Sequence, residues 1–102
     1  MARFDVYQYN NSSVPLVIEV QADLLADLNT CVVVPLVPEK AAMNEALPKL
    51  KPIIEFNGEN YILITTDIGT VTRSSLGEVV INIEDKHRQE VTDALDFLFQ
   101  GF

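Results

Sequence analysis

The strongest helical period in this chain lies at its end, and it dictates what the residues before it have to supply. Over residues 85–102, Val91, Ala94, Leu95, Leu98 and Phe99 recur at i, i+3, i+4, i+7 and i+8, the apolar stripe of a helix that faces a core. Asp85 is read as the N-cap, because its carboxylate can accept from the free amides of the first turn. Gln89, Glu90, Thr92, Asp93 and Asp96 form the solvated side, and Gly101 is a natural stop. The closing ring of Phe102 either packs into the domain or is offered to a partner. Such a helix is marginal in water until its stripe is covered. The preceding 84 residues therefore have to build the surface that covers it.

They read as short strands. Residues 3–9 alternate, with Phe4, Val6 and Gln8 on one side and Asp5, Tyr7 and Tyr9 on the other. The turn Asn10-Asn11-Ser12-Ser13 returns the chain into a second strand over residues 16–21, with Pro15 confined to an edge or a strand start. A connection over residues 22–30 sets Leu24, Leu25 and Leu28 among aspartates. Residues 31–36 are a continuous apolar run of strand length, closed by Pro35 and Pro38, with Cys31 as a quiet packing residue at its start. Residues 39–47 are expected to form two helical turns with Ala42, Met43, Ala46 and Leu47 inward, ended by Pro48. The clearest hairpin joins residues 51–56 to 61–66 through Asn57-Gly58, which supplies a left-handed turn. Residues 70–74 and 78–83 give two more strands. The expected fold is one mainly β domain over residues 1–102, a small and strongly curved antiparallel sheet or barrel capped by a C-terminal α-helix.

Charge and composition narrow the function. The net charge of −8 repels a phosphate backbone and suits a partner with a basic patch. A single cysteine forms no disulfide within the chain, the N-terminus lacks the pattern of a signal peptide, and no apolar run approaches the ~20 residues of a spanning helix. The expectation is a soluble cytoplasmic protein with no membrane association. His87, the one histidine, has no company for a metal site and is expected at the surface or in a capping role. No glycine loop cradles a phosphate, and Thr65-Thr66-Asp67 reads as a strand end with a capped turn. No catalytic residue, metal or cofactor is specified.

The order of Phe4-Asp5-Val6-Tyr7, Val20-Gln21-Ala22-Asp23-Leu24-Leu25, Val32-Val33-Val34-Pro35-Leu36, Pro52-Ile53-Ile54, Thr65-Thr66-Asp67, Val71, Leu76-Gly77-Glu78 and the final helix with Ala94, Phe99 and Gly101 resembles the CcdB family over essentially the whole length. The resemblance implies an SH3-like barrel that assembles as a homodimer. It implies the toxin of a plasmid-maintenance toxin–antitoxin module, a non-enzymatic poison that binds the DNA gyrase A subunit and traps it on cleaved DNA. It also implies a cognate CcdA-like antitoxin that displaces the toxin and, together with it, represses their operon. Contact with DNA then runs only through the antitoxin. The gyrase-facing set it implies is Leu24, Leu25, Asp96, Phe99, Gln100, Gly101 and Phe102. The antitoxin-facing set is Tyr9, Asn10, Asn11, Ser12, Ser13, Met43, Ala46 and Leu47.

One departure falls in the gyrase-facing set. The family's usual ending is Trp-Gly-Ile, where the indole stacks on a gyrase arginine; this chain has Gln100-Gly101-Phe102, with Asp96 one turn earlier on the same edge. Two alternatives remain beside the gyrase poison. One is a non-toxic decoy that keeps antitoxin binding. The other is an endoribonuclease toxin of the same barrel, which needs a basic groove from a chain with only Arg3, Arg73 and Arg88.

Overall fold

The computed structural model describes the chain except for residues 1, 12, 13, 43, 45 and 102; at Asn10 and Asn11 it describes the backbone alone. Among the described residues one antiparallel sheet contains β1 (Asp5–Asn11), β2 (Val14–Glu19), β3 (Thr30–Pro38), β4 (Ile53–Phe56), β5 (Glu59–Leu63), β6 (Gly69–Thr72) and β7 (Leu76–Asn82), and α1 (Glu84–Gln100) follows it. The path runs β4-β5-β3-β2-β1-β7, with β6 also paired to β3. The mainly β fold with one C-terminal helix is the one expected.

The curl of the sheet follows from a short connection. β6 and β7 stand at opposite ends of the row β6-β3-β2-β1-β7, yet only the 3-10 turn Arg73–Ser75 joins them. In a flat sheet those ends would lie ~19 Å apart, four inter-strand spacings. Three residues of 3-10 turn advance only ~6 Å. The row has to roll up, and it does so as a half-barrel.

Rolling covers both faces of the central strands. Val6 and Tyr7, Val17 and Ile18, and Val33 and Val34 are chain neighbours whose side chains enter opposite clusters. The larger cluster holds Phe4, Val6, Ile18, Val34, Leu36 and Ile54 with Val91 and Ala94 of α1. Each large side chain so buried contributes on the order of 1.5–3 kcal/mol. The smaller holds Tyr7, Val17, Cys31 and Val33, with Val71 and Leu76 packed against it from β6 and β7. Tyr7 is therefore buried, and Gln8, placed with Phe4 and Val6 by alternation, is exposed.

Several boundaries differ from the sequence reading. Pro35 does not close β3 but lies inside it. The far edge of β3 pairs with β6 along Thr30–Val33 and with β5 along Leu36–Pro38. Between those two partners the Pro35 carbonyl accepts from the Ile64 amide at 3.0 Å, and no ladder demands the N–H that proline lacks. The two helical turns expected at residues 39–47 are a 3-10 turn, Glu39–Ala41, after which Leu47 forms a bridge with Lys51. Residues 43 and 45 of that stretch lie outside the described residues. At α1 the side chain of Asn82, not Asp85, accepts from the first amide, that of Glu84, at 3.0 Å. The Asn57-Gly58 turn is as expected, with φ of 53° and 80°, and so is the stop at Gly101, with φ of 82°.

His87 corrects another expectation. It is buried, with Nε2 2.8 Å from the Glu55 carbonyl and Nδ1 2.5 Å from Glu90 Oε1. Both ring nitrogens are thus within hydrogen-bond distance of an oxygen. It joins β4 to α1 at the helix's first buried position.

The smaller cluster surrounds a buried carboxylate. Glu19 is 1% exposed; Tyr7 Oη donates to its Oε1 at 3.0 Å and Arg73 Nη2 to its Oε2 at 3.1 Å. Burial and this negative neighbour raise the Tyr7 hydroxyl well above its ordinary value and push the Cys31 thiol up to about 11.

Two outcomes follow from this packing. A Cβ on Gly77 would stand 2.9 Å from the Gln8 carbonyl oxygen, which is backbone and cannot step aside. Gly77→Ala is expected to cost about 1–3 kcal/mol in chemical denaturation, in the range of overpacking. For Cys31 the folded value exceeds that of the free thiol, so the unfolded chain loses the proton first. The stability it carries is complete below about pH 9 and is lost as pH rises to about 11. Denaturation across that window should show a steeper fall for the wild type than for Cys31→Ala.

Candidate functional site

The solvent end of α1 and the segment that faces it make one groove. His87, Val91 and Ala94 turn into the core, which sets the rest of the helix by rotation. Glu90, Asp93, Asp96 and Phe97 then line one wall, with Gly101 at the end; Pro48, Lys49 and Pro52 line the other, enclosing about 440 Å³. Acidic residues at i, i+3 and i+6 put three carboxylates on one helix edge. Glu90 is engaged by His87, and Asp93 Oδ1 accepts from Gln89 Nε2 at 2.7 Å. The groove thus combines an apolar lining of Pro48, Pro52 and Phe97 with three carboxylates from α1 and one cation, Lys49.

Beyond the groove the apolar stripe leaves the core. Leu95 and Leu98 are half-buried, while Phe99 is 71% exposed. The sequence reading placed Phe99 in the core-facing stripe; the sheet ends before the last turn of α1 reaches it. Gln100 and Gly101 are also exposed, and Phe102 lies outside the described residues. A second apolar projection is the 3-10 turn Asp23–Leu25, where Leu24 is 93% exposed, and Leu25 and nearby Leu28 are also exposed. Asp96 and Gly101 therefore share the groove, whereas Leu24 and Leu25 stand on a separate turn.

The other predicted set is only partly described. Tyr9 is half-buried against the smaller cluster, Ala46 is half-buried and Leu47 is exposed in its bridge with Lys51. The side chains of Asn10 and Asn11, and all of Ser12, Ser13 and Met43, lie outside the described residues. Leu47 adjoins Pro48 and Lys49 in the chain, so this one member of the set borders the groove.

Arg3 and Arg88 both lie over the Phe4 ring, whereas Arg73 pairs with buried Glu19. Arg3 lies 4.7 Å from the ring centroid and donates to the Val20 carbonyl at 3.0 Å. Arg88 also pairs with Glu84 at 2.7 Å. Among the described residues no group of three His, Cys, Asp or Glu side chains could hold a metal ion, and no helix is long and apolar enough to cross a membrane.

Sequence reasoning missed Glu19, Gln21, Leu28, Arg73 and the groove residues Pro52, Glu90, Asp93 and Phe97. A signal for the first two was present: Val17, Glu19 and Gln21 share one parity on a strand that is apolar elsewhere. The groove carried none, because it joins segments some forty residues apart.

Comparison with known proteins accounts for this architecture. A solved structure described as an endoribonuclease in complex with its cognate antitoxin, from a mycobacterial species, superimposes with a TM-score of 0.78 at 14% identity, covering 97% of this chain and 94% of that one. At that identity the likeness is one of fold. The model of the CcdB protein family matches residues 3–101, nearly the full length, and the chain belongs to the CcdB family.

Proposed function

We propose that this chain is the toxin of a toxin–antitoxin system and acts as a binding poison of DNA gyrase. In this reading it docks the end of α1 on the gyrase A subunit and holds the enzyme on cleaved DNA. The observation that carries the proposal is Phe99, a large ring left 71% exposed on the last turn of a helix whose other large apolar residues are at least half covered. An exposed aromatic on a rigid element gives contact area with little ordering cost. Asp96, Gln100 and Gly101 surround it on the same turn and a half, and Leu24 and Leu25 add a second apolar contact. Where relatives carry tryptophan, Gln100 offers hydrogen bonds and Asp96 a charge for the same basic partner.

The molecule assembles as a homodimer that brings two helix ends together, and the target places its action in the cytoplasm. An antitoxin contacts Tyr9, Asn10, Asn11, Ser12, Ser13, Met43, Ala46 and Leu47, neutralises the toxin, and represses the operon jointly with it. RNA cleavage is disfavoured by the acidic groove and by the engagement of all three arginines in intramolecular contacts.

Calorimetry with a fragment of the gyrase A subunit, at low and high salt, tests the reading. Phe99→Ala is expected to cost on the order of 2–4 kcal/mol of binding, the usual loss of an aromatic anchor. Asp96→Asn is expected to weaken binding more at low salt than at high, because salt screens an interfacial pair. Both side chains are exposed, so thermal unfolding should barely move. Tight binding by the wild type that neither substitution alters would place the contact elsewhere.

A further inference from the structure

The connection over residues 22–29 combines two properties that rarely go together. Leu24, Leu25 and Leu28 are exposed, so burial supplies little to order it. Its backbone is nevertheless held from three sides. Gln21, itself buried, donates from Nε2 to the carbonyls of Leu25 at 3.1 Å and Thr30 at 3.3 Å and accepts from the Val32 amide at 3.2 Å. Arg73 donates from Nε to the Leu28 carbonyl at 3.0 Å and from its amide to the Asn29 carbonyl at 2.8 Å. The Arg3 amide donates to Asp23 Oδ1 at 2.6 Å.

Arg73 can do this because its guanidinium is fixed at the other end. Nη2 meets Glu19, whose second oxygen is held by Tyr7, so the plane of the fork is set by a buried carboxylate. A buried ion pair adds little net stability over apolar packing. Geometry is what this one supplies: a planar fork that reaches a carboxylate and a carbonyl from two nitrogens in fixed relation, which a single ammonium on a flexible stem does not provide.

We propose that Gln21 and the Glu19–Arg73 pair are positioning residues that hold residues 22–29 in a binding-ready shape, presenting Leu24, Leu25 and Leu28 to an apolar recess on gyrase. This role rests on the gyrase reading above. With the ordering cost met in the free protein, the leucines bind as a preformed surface, and loosening the turn weakens binding without removing any contacting side chain.

Arg73→Lys is the test, because it keeps a cation beside Glu19 and removes the fork. Three quantities are measured on the full chain: amide exchange at Leu28, affinity for the gyrase A fragment, and the effect of Leu24→Ala in both backgrounds. The role predicts at least tenfold faster exchange at Leu28 and at least tenfold weaker gyrase binding. It also predicts that Leu24→Ala costs clearly less in the Arg73→Lys background, a coupling that general destabilisation would not produce. If Arg73→Lys does not fold, Gln21→Met carries the same three measurements. Unchanged gyrase affinity, or an equal cost of Leu24→Ala in both backgrounds, overturns the role while leaving the gyrase reading intact. A wild type that does not bind gyrase sinks the reading itself and the role with it.

Discussion

Three residues, Arg73 to Ser75, close the distance between strands at opposite ends of a five-strand row, and the rest of the molecule accommodates that short tie. Because the row must roll, β2 and β3 lose solvent on both faces, and their residues alternate between two cores. One core is completed by α1, which buries His87, Val91 and Ala94. The other is completed by β6 and β7, and it encloses Glu19. The first residue of the tie is Arg73, so the segment that forces the curl also delivers the cation that the enclosed carboxylate requires. Removing either charge would leave the other buried alone, which is costlier than never having the pair.

Function then falls to what the rolled sheet cannot cover. The last turn of the 17-residue helix α1 leaves Phe99 exposed. The connection between the antiparallel neighbours β2 and β3 projects Leu24. The carboxylates of Glu90, Asp93 and Asp96 line the groove with Pro48 and Pro52. Rigid apolar projections beside negative charge favour a basic protein partner over a nucleic acid.

How much of this the sequence disclosed depended on the range of the interactions involved. The hairpin β4–β5 was legible because Asn57 and Gly58 specify their turn locally, and the end of α1 because Gly101 accepts a left-handed φ. The apolar run that became β3 was legible too, although Pro35 hid its length: only the change of partner from β6 to β5 explains why a proline is tolerated there. Residues 39–47 read as helix from spacing alone, whereas their described start, Glu39–Ala41, is a 3-10 turn that ends at Ala42. His87 and Glu19 were hard to read for a different reason. Each depends on a remote partner, Glu55 32 positions away and Arg73 54 positions away, which neither the parity at Glu19 nor the local Glu90 identifies. Within the site, Leu24, Leu25, Asp96, Phe99, Gln100 and Gly101 were named through family resemblance. Their exposure, and the pins that hold the leucine turn, required the folded chain.

Gyrase poisoning without enzymatic activity is the central claim, and the most direct measurement is made on the target's own reaction. Purified gyrase and supercoiled DNA are incubated with the full-length chain and quenched with detergent, and an RNA substrate is incubated in parallel. The account predicts that linear, protein-linked DNA accumulates with toxin concentration, that gyrase carrying a toxin-resistant A subunit gives none, and that the RNA stays intact. Cleaved RNA with no trapped DNA would contradict it.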